Sequence, residues 1–215
     1  MSLIVQKYGG SSLATPKLIE NVASRIASSH DNGGPLVATV SAMGDSTDDL
    51  LSFASQVSDK PEPRELDVLL STGELQSCAL VAMALNSMGK DAVSLSGAQA
   101  GIYTDSSFGR ARISTLDTGR IKQELDRGNI VIVAGFQGID SQMDTTTLGR
   151  GASDLTAVAL AAALTVTWVD GRIPSGNGSC TSSQTGATLG NDRTEDPHDV
   201  HFSDDGLQVF TANHN

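Results

Sequence analysis

Apolar residues fall in two rhythms along this chain. Short runs rich in apolar residues at 3–6, 36–40, 91–95 and 130–134, the last of them fully apolar, have the length of strands in a buried sheet. Between them the apolar positions return every three or four residues, as in Leu18, Ile19, Val22 and Ile26. This spacing predicts helices over 45–57, 65–88, 120–126 and 155–164, besides one that opens at Thr15-Pro16 and stops at Asn32-Gly33-Gly34. Gly73 interrupts the long third helix, and 135–147 reads as a hairpin or loop. Ser153-Asp154 caps the last, Ala-rich helix. Strands that alternate with helices predict an α/β fold with a mostly parallel sheet covered on both faces.

The rhythm stops at Leu164. From 171 to 199 the only large aliphatic residues are Ile173 and Leu189. Between Thr165 and Asn215 there are seven acidic residues and two arginines. Such a segment buries too little apolar surface to offset the entropy of ordering it. The expected organisation is therefore a domain over 1–164 and a loose acidic Gly/Ser/Thr-rich tail over 165–215. Residues 207–210 are its one candidate strand or docking peptide. The whole chain, 215 residues and 22.2 kDa, suits one domain or one domain with a tail.

Composition removes several function classes. A formal charge of −11 repels polyanions and argues against a general nucleic-acid binder. Two cysteines, Cys78 and Cys180, exclude a disulfide framework or a cysteine-rich zinc module, and Cys78 in an apolar helical run reads as a core thiol. His198 and His201 lie in the acidic tail without supporting ligands, so no metal site is expected from the chain itself. No signal-peptide core and no apolar stretch of about 18 residues are found, so no membrane span and a cytoplasmic location are expected.

Candidate chemistry sits at strand ends. Lys7-Tyr8-Gly9-Gly10-Ser11-Ser12 follows the first strand. Its glycines let backbone N–H groups approach a phosphate and its lysine supplies a point charge, or it is a plain turn with a surface lysine. It is not a Walker A motif. In Thr147-Leu148-Gly149-Arg150-Gly151-Ala152-Ser153-Asp154, Arg150 has the fork to grip a carboxylate ahead of a helix N-terminus. Asp154 is either functional or a first-turn acid. Glu74, beside Gly73, is either a partner for a ligand ammonium or a solvated helix residue; Ser41 and Thr47 are hydroxyl donors or ordinary turn residues.

Taken in order, these segments resemble the N-terminal catalytic domain of aspartate kinases, in the amino acid kinase superfamily. The resemblance rests on Lys7-Tyr8-Gly9-Gly10-Ser11-Ser12, Ser41-Ala42-Met43-Gly44-Asp45-Ser46-Thr47, Leu69-Leu70-Ser71-Thr72-Gly73-Glu74 and Phe108-Gly109-Arg110-Ala111. It continues through Gly135-Phe136-Gln137-Gly138 and Thr145-Thr146-Thr147-Leu148-Gly149-Arg150-Gly151-Ala152-Ser153-Asp154, and covers nearly all of residues 2–164.

The resemblance implies a three-layer α/β/α sandwich. It also implies transfer of the γ-phosphoryl of ATP, with Mg2+, to the side-chain carboxylate of L-aspartate, the first step towards lysine, threonine and methionine. Lys7 then faces the transferring phosphoryl group, and Gly9, Gly10 and Ser11 form the phosphate loop. Asp154 organises the lysine, Arg150 holds a substrate carboxylate, Glu74 meets its ammonium, and Ser41, Thr47 and Ser153 add donors. The partners implied are L-aspartate and ATP, without nucleic acid or membrane.

Two departures stand out. Ala152 replaces a glycine of the family's usual Gly-Arg-Gly-Gly-Ser-Asp, where a methyl crowds the backbone if φ must be positive. Beyond Leu164 only Val169-Asp170-Gly171 echoes the family's nucleotide segment, with Trp168 at an expected acidic position. The domain is thus expected to be truncated, with a bare sheet edge open to self-association or shielded by the tail or a partner. The alternatives are an inactive fragment without a complete ATP site, or an amino acid kinase for a different carboxylate.

Overall fold

The computed structural model describes residues 3–149, 151–165, 202–204 and 207–212. Its main sheet has the strand order β3-β6-β2-β1-β10-β9. Here β1 is Ile4–Tyr8, β2 Leu36–Val40, β3 Ala92–Leu95, β6 Ile130–Ala134, β9 Phe202–Asp204 and β10 Leu207–Ala212. All neighbours are parallel except the pair β10 and β9. Side chains of β2 and β6 are buried throughout, which is why these strands read as apolar runs, broken only by Thr39.

Among the described residues, two helices cover each face. On one side Ile4, Leu36, Ala38, Ile130 and Ile132 pack against α1 (Pro16–Gly33) and α3 (Pro63–Ser87). On the other, Val5, Val37, Val131 and Val133 meet Ile121 of α4 (Gly119–Asp126) and Leu160 and Ala161 of α5 (Ser153–Thr165). This is the three-layer arrangement expected from the sequence. Thr15 caps α1 as predicted, its hydroxyl accepting from the Leu18 N–H. α2 (Ser46–Val57) lies against α3.

The chain also forms a second sheet, ordered β5-β4-β7-β8, that the apolar pattern does not announce. Its strands are β4 Ile102–Thr104, β5 Ile113–Leu116, β7 Gln137–Ile139 and β8 Thr145–Thr147. β7 and β8 are the antiparallel hairpin expected within 135–147. β4 and β5 are additions, each too short to show a period.

The edge of β1 is not bare. β10 pairs with it over five positions, Ile4 opposite Gln208 through Tyr8 opposite Ala212. The tail-borne candidate strand is thus an element of the main sheet, and β9 pairs with its outer side. The rest of the tail, with Trp168, Cys180, His198 and His201, lies outside the described residues.

α3 is long and apolar enough, by length and composition, to cross a membrane, against the expectation that no such stretch exists. Half of that stretch is buried inside the protein, and its inner face carries Asp67, Ser71 and Glu74. Together with Arg64 and Cys78 these positions recur every three or four residues, one stripe along the helix. Together they tie the helix to several distant segments. Arg64 donates to Asp144, Asp67 accepts from Gly109 and Thr147, and the Ser71 carbonyl accepts from the Gln137 amide. The Glu74 carboxylate accepts from Ala42 N–H, and the Cys78 thiol donates to the Ile132 carbonyl at 3.1 Å. Burial pushes that thiol up to about 12, consistent with an inert core cysteine.

Candidate functional site

The C-terminal ends of the parallel strands face an open cleft of about 350 Å³. Lys7, Gly10, Ser41, Thr47, Glu74 and Ser153 line it, all expected from the sequence. The strand-end loops are tied to each other. Ser41 N–H donates to the Tyr8 carbonyl at 3.1 Å, Gly44 N–H to the Gly10 carbonyl at 3.0 Å, and Gly135 N–H to the Val40 carbonyl at 3.0 Å. At Gly10 a Cβ would stand 2.7 Å from the Ala42 carbonyl oxygen, so only glycine allows the loops after β1 and β2 to meet.

Lys7 is the last but one residue of β1, on the face covered by α5. Its Nζ lies 2.8 Å from Oδ1 of Asp154, in the first turn of α5. The lysine side chain is 15% exposed and the aspartate 42%, so the pair closes one wall with the ammonium inward. Asp154 thus pairs with Lys7 besides standing in the first turn of α5. Gly9 precedes the 3-10 turn Gly10–Leu13, beside the Lys7 ammonium, whereas Ser11 is exposed on that turn and does not line the cleft. Arg150 lies outside the described residues.

Glu74 is not a solvated helix residue. It is 4% exposed; one oxygen accepts from Ala42 N–H at 3.2 Å and the other is buried without a partner. Gly73 allows this approach, because a Cβ there would come within 2.9 Å of Ala42 Cβ. Burial raises the Glu74 carboxyl to about 7, only partly offset by the Ala42 hydrogen bond. A carboxyl whose folded value exceeds its unfolded one weakens the fold as pH rises from the ordinary carboxylate range through 7. Glu74→Gln should thus raise the melting temperature of the unliganded protein at pH 8 and leave it nearly unchanged at pH 4, in thermal denaturation at both values.

The loop into α5 resolves the Ala152 departure. Positive φ falls on Gly149 (92°) and Gly151 (78°), not on Ala152. The Ala152 methyl is buried in a cluster with Leu70, Phe136 and Leu148. Phe136, which the sequence reading passed over, also lines the cleft and takes φ of 68°, a strained backbone for a non-glycine residue. Its N–H donates to Thr156 Oγ1 and its carbonyl accepts from Leu148 N–H, bonds that hold the strain in place. Ala42, Gly44, Asp48 and Gly151 also line the cleft, Ala42 and Gly44 in the loop after β2 and Asp48 beside Thr47 in the first turn of α2. Asp67 also escaped the sequence reading, although it shares the helical stripe of Glu74.

No cluster of three or more His, Cys, Asp or Glu side chains suited to a metal occurs among the described residues. The cleft instead offers a glycine-lined backbone turn, one inward ammonium and one buried, half-satisfied carboxylate. That set suits a ligand with phosphate at one end and an ammonium group at the other.

A family model described as the amino acid kinase family matches residues 2–169. Curated aspartokinases are similar to this chain. That of Bacillus sp. (strain MGA3) is 54% identical over 164 residues, 76% of this chain and 40% of the relative. That of Mycolicibacterium smegmatis is 55% identical over 165 residues, 76% and 39% of the two chains. The chain thus spans about 40% of the length of the curated relatives it matches. Among solved structures, the aspartate kinase from Synechocystis superposes with a TM-score of 0.65 at 46% identity, over 76% of this chain and 26% of that one. E. coli aspartokinase III in complex with lysine and aspartate gives 0.67 at 24% identity, over 75% and 47%, a likeness of fold alone. The motifs in order, the layered sheet and the matched span agree: the chain belongs to the amino acid kinase family.

Proposed function

We propose that this chain carries the aspartate and phosphate sites of an aspartate kinase, which passes the γ-phosphoryl group of ATP to the side-chain carboxylate of L-aspartate. The observation that carries the reading is that one cleft holds both the Lys7 ammonium and the half-satisfied Glu74 carboxylate. The aspartokinases above, at 54–55% identity, support the same substrate.

In this reading each residue has a task of charge or position. Lys7 neutralises the phosphoryl oxygens as they move, and Asp154 holds its ammonium on target. Gly9 and Gly10 turn backbone N–H groups towards phosphate; Ser11 belongs to the same turn. Glu74 takes the substrate ammonium, Arg150 its carboxylate, and Ser41, Thr47 and Ser153 donate hydroxyls. The attacking carboxylate is ionised at neutral pH, so its oxygen bonds to phosphorus without a general base as the bond to the leaving diphosphate breaks. Mg-ATP supplies the phosphoryl group when bound. The glycine turn and Lys7 fit its phosphates, and the metal comes with the nucleotide, because the described residues hold no ligand cluster of their own. A cytoplasmic location follows from this reading.

Two measurements test it. Purified protein with Mg-ATP, L-aspartate and hydroxylamine should yield aspartyl hydroxamate; no product, beside a working longer aspartokinase, rejects activity for this chain. Calorimetric titration with L-aspartate should show affinity rising roughly tenfold from pH 6 to pH 8 as Glu74 ionises, with Glu74→Gln weak and flat. An affinity independent of pH in the wild type rejects Glu74 as the ammonium partner.

A further inference from the structure

Asp67 is a buried carboxylate that no step above uses. It is 1% exposed, and among the described residues no ion pair reaches it. Neutral donors satisfy it instead. Gly109 N–H is shared between its two oxygens at 3.0 and 2.9 Å, Thr147 N–H donates to Oδ2 at 2.8 Å, and the Thr147 hydroxyl donates to Oδ1 at 2.8 Å. A carboxylate kept this far from water persists only because these donors replace its hydration.

The donors come from the end of β8, whose following segment leads to the cleft, and from the turn after β4. Thr147 ends β8, and the next seven residues run through Gly149, Arg150 and Gly151 to Ser153 and Asp154. Its carbonyl accepts from Ala111 N–H at 2.8 Å, so its N–H, hydroxyl and carbonyl are all engaged. Gly109 is the turn between β4 and β5, with φ of 78°, and its carbonyl lies against Gly149. One turn earlier in α3, Arg64 donates twice to Asp144 just ahead of β8. α3 therefore grips both ends of β8 and, through Asp67 alone, both segments.

From this geometry we infer that Asp67 is a positioning residue. Its carboxylate anchors Thr147 and thereby the chain leading to Gly151, Ser153 and Asp154 at the substrate cleft. The effect on L-aspartate rests on the aspartate kinase reading; the effect on the loops does not.

The hydrogen-bond chemistry ranks the variants. Asp67→Ala orphans the buried Thr147 N–H, leaves the more exposed Gly109 N–H to water, and releases both segments. Asp67→Asn keeps one oxygen for both N–H groups, and its amide donates to the Thr147 hydroxyl, which turns to accept. Thr147→Val removes only the hydroxyl. The test is L-aspartate titration calorimetry on the three variants, with hydrogen exchange of the same proteins. Affinity should fall about tenfold or more in Asp67→Ala and far less in Asp67→Asn, with Thr147→Val between them. Exchange should speed up in 105–112 and 147–153 while β2 and β6 stay protected. Unchanged affinity in Asp67→Ala, equal damage by Asn and Ala, or exchange raised uniformly through the protein overturns the inference. If Asp67→Ala does not fold, the same pattern in Thr147→Val decides. If the wild type binds no aspartate, the substrate reading fails, and the exchange pattern alone decides for or against Asp67.

Discussion

Lys7→Ala is expected to lower phosphoryl transfer by about a thousandfold or more while leaving the fold almost untouched. The two effects separate because the lysine works at the cleft and not in the core. Its partner Asp154 is 42% exposed, so water takes over the carboxylate when the ammonium is gone. An ion pair of that exposure contributes about 1 kcal/mol or less to stability. Charge on a moving phosphoryl group has no such substitute, because the cleft supplies one inward ammonium at that wall among the described residues. The hydroxamate assay and a thermal melt of the same preparation check this. Activity within tenfold of wild type removes Lys7 from the chemistry, and a melting temperature lowered by more than a few degrees assigns it to the fold.

The second large effect is expected at Gly10. A side chain there meets backbone: its Cβ falls 2.7 Å from the Ala42 carbonyl oxygen and 3.2 Å from that of Gly44. Neither atom can rotate away, so Gly10→Val must part the loops after β1 and β2 and break the Gly44 N–H bond to the Gly10 carbonyl. The expected cost is about 2–3 kcal/mol, read in urea or thermal denaturation, together with loss of aspartate and phosphate binding. Gly9→Ala is the matched control, since its Cβ would meet only the flexible end of Lys7, at an ordinary 3.5 Å. It should cost no more than about 0.5 kcal/mol. Equal stability losses at the two positions would show that close packing of the strand-end loops is not what glycine provides at 10.

The sequence reveals most where burial is local and complete. β2 and β6 have the bounds that their apolar runs predict, because side chains on both faces are buried and polar or glycine residues follow at once. β4 and β5 were illegible. With three and four residues, and an irregular register between Tyr103 and Thr104, they are strands through pairing with distant segments rather than through their own pattern. The site divides in the same way. Motif spacing brings out Lys7, Ser41, Thr47, Glu74 and Ser153, all of which line one cleft. That Glu74 is buried could not be read, since its covering residue, Ala42, is 32 positions away. Asp67 resembles any acid in the first turns of a helix, and its partners lie 42 and 80 positions along the chain.

The stripe on α3 bears on how this chain can change its length. Arg64, Asp67, Ser71, Glu74 and Cys78 contact both ends of β8 and three further segments from one face, so their mutual phase is fixed by the helical turn alone. Adding or removing one residue between 67 and 74 rotates everything beyond it by about 100°. Glu74 would leave the cleft and Cys78 the sheet in a single event, whereas the exposed stretch 105–107 can gain or lose residues without altering that phase. Length variation in this part of the fold is therefore confined to its loops, and α3 serves as the ruler against which they are set.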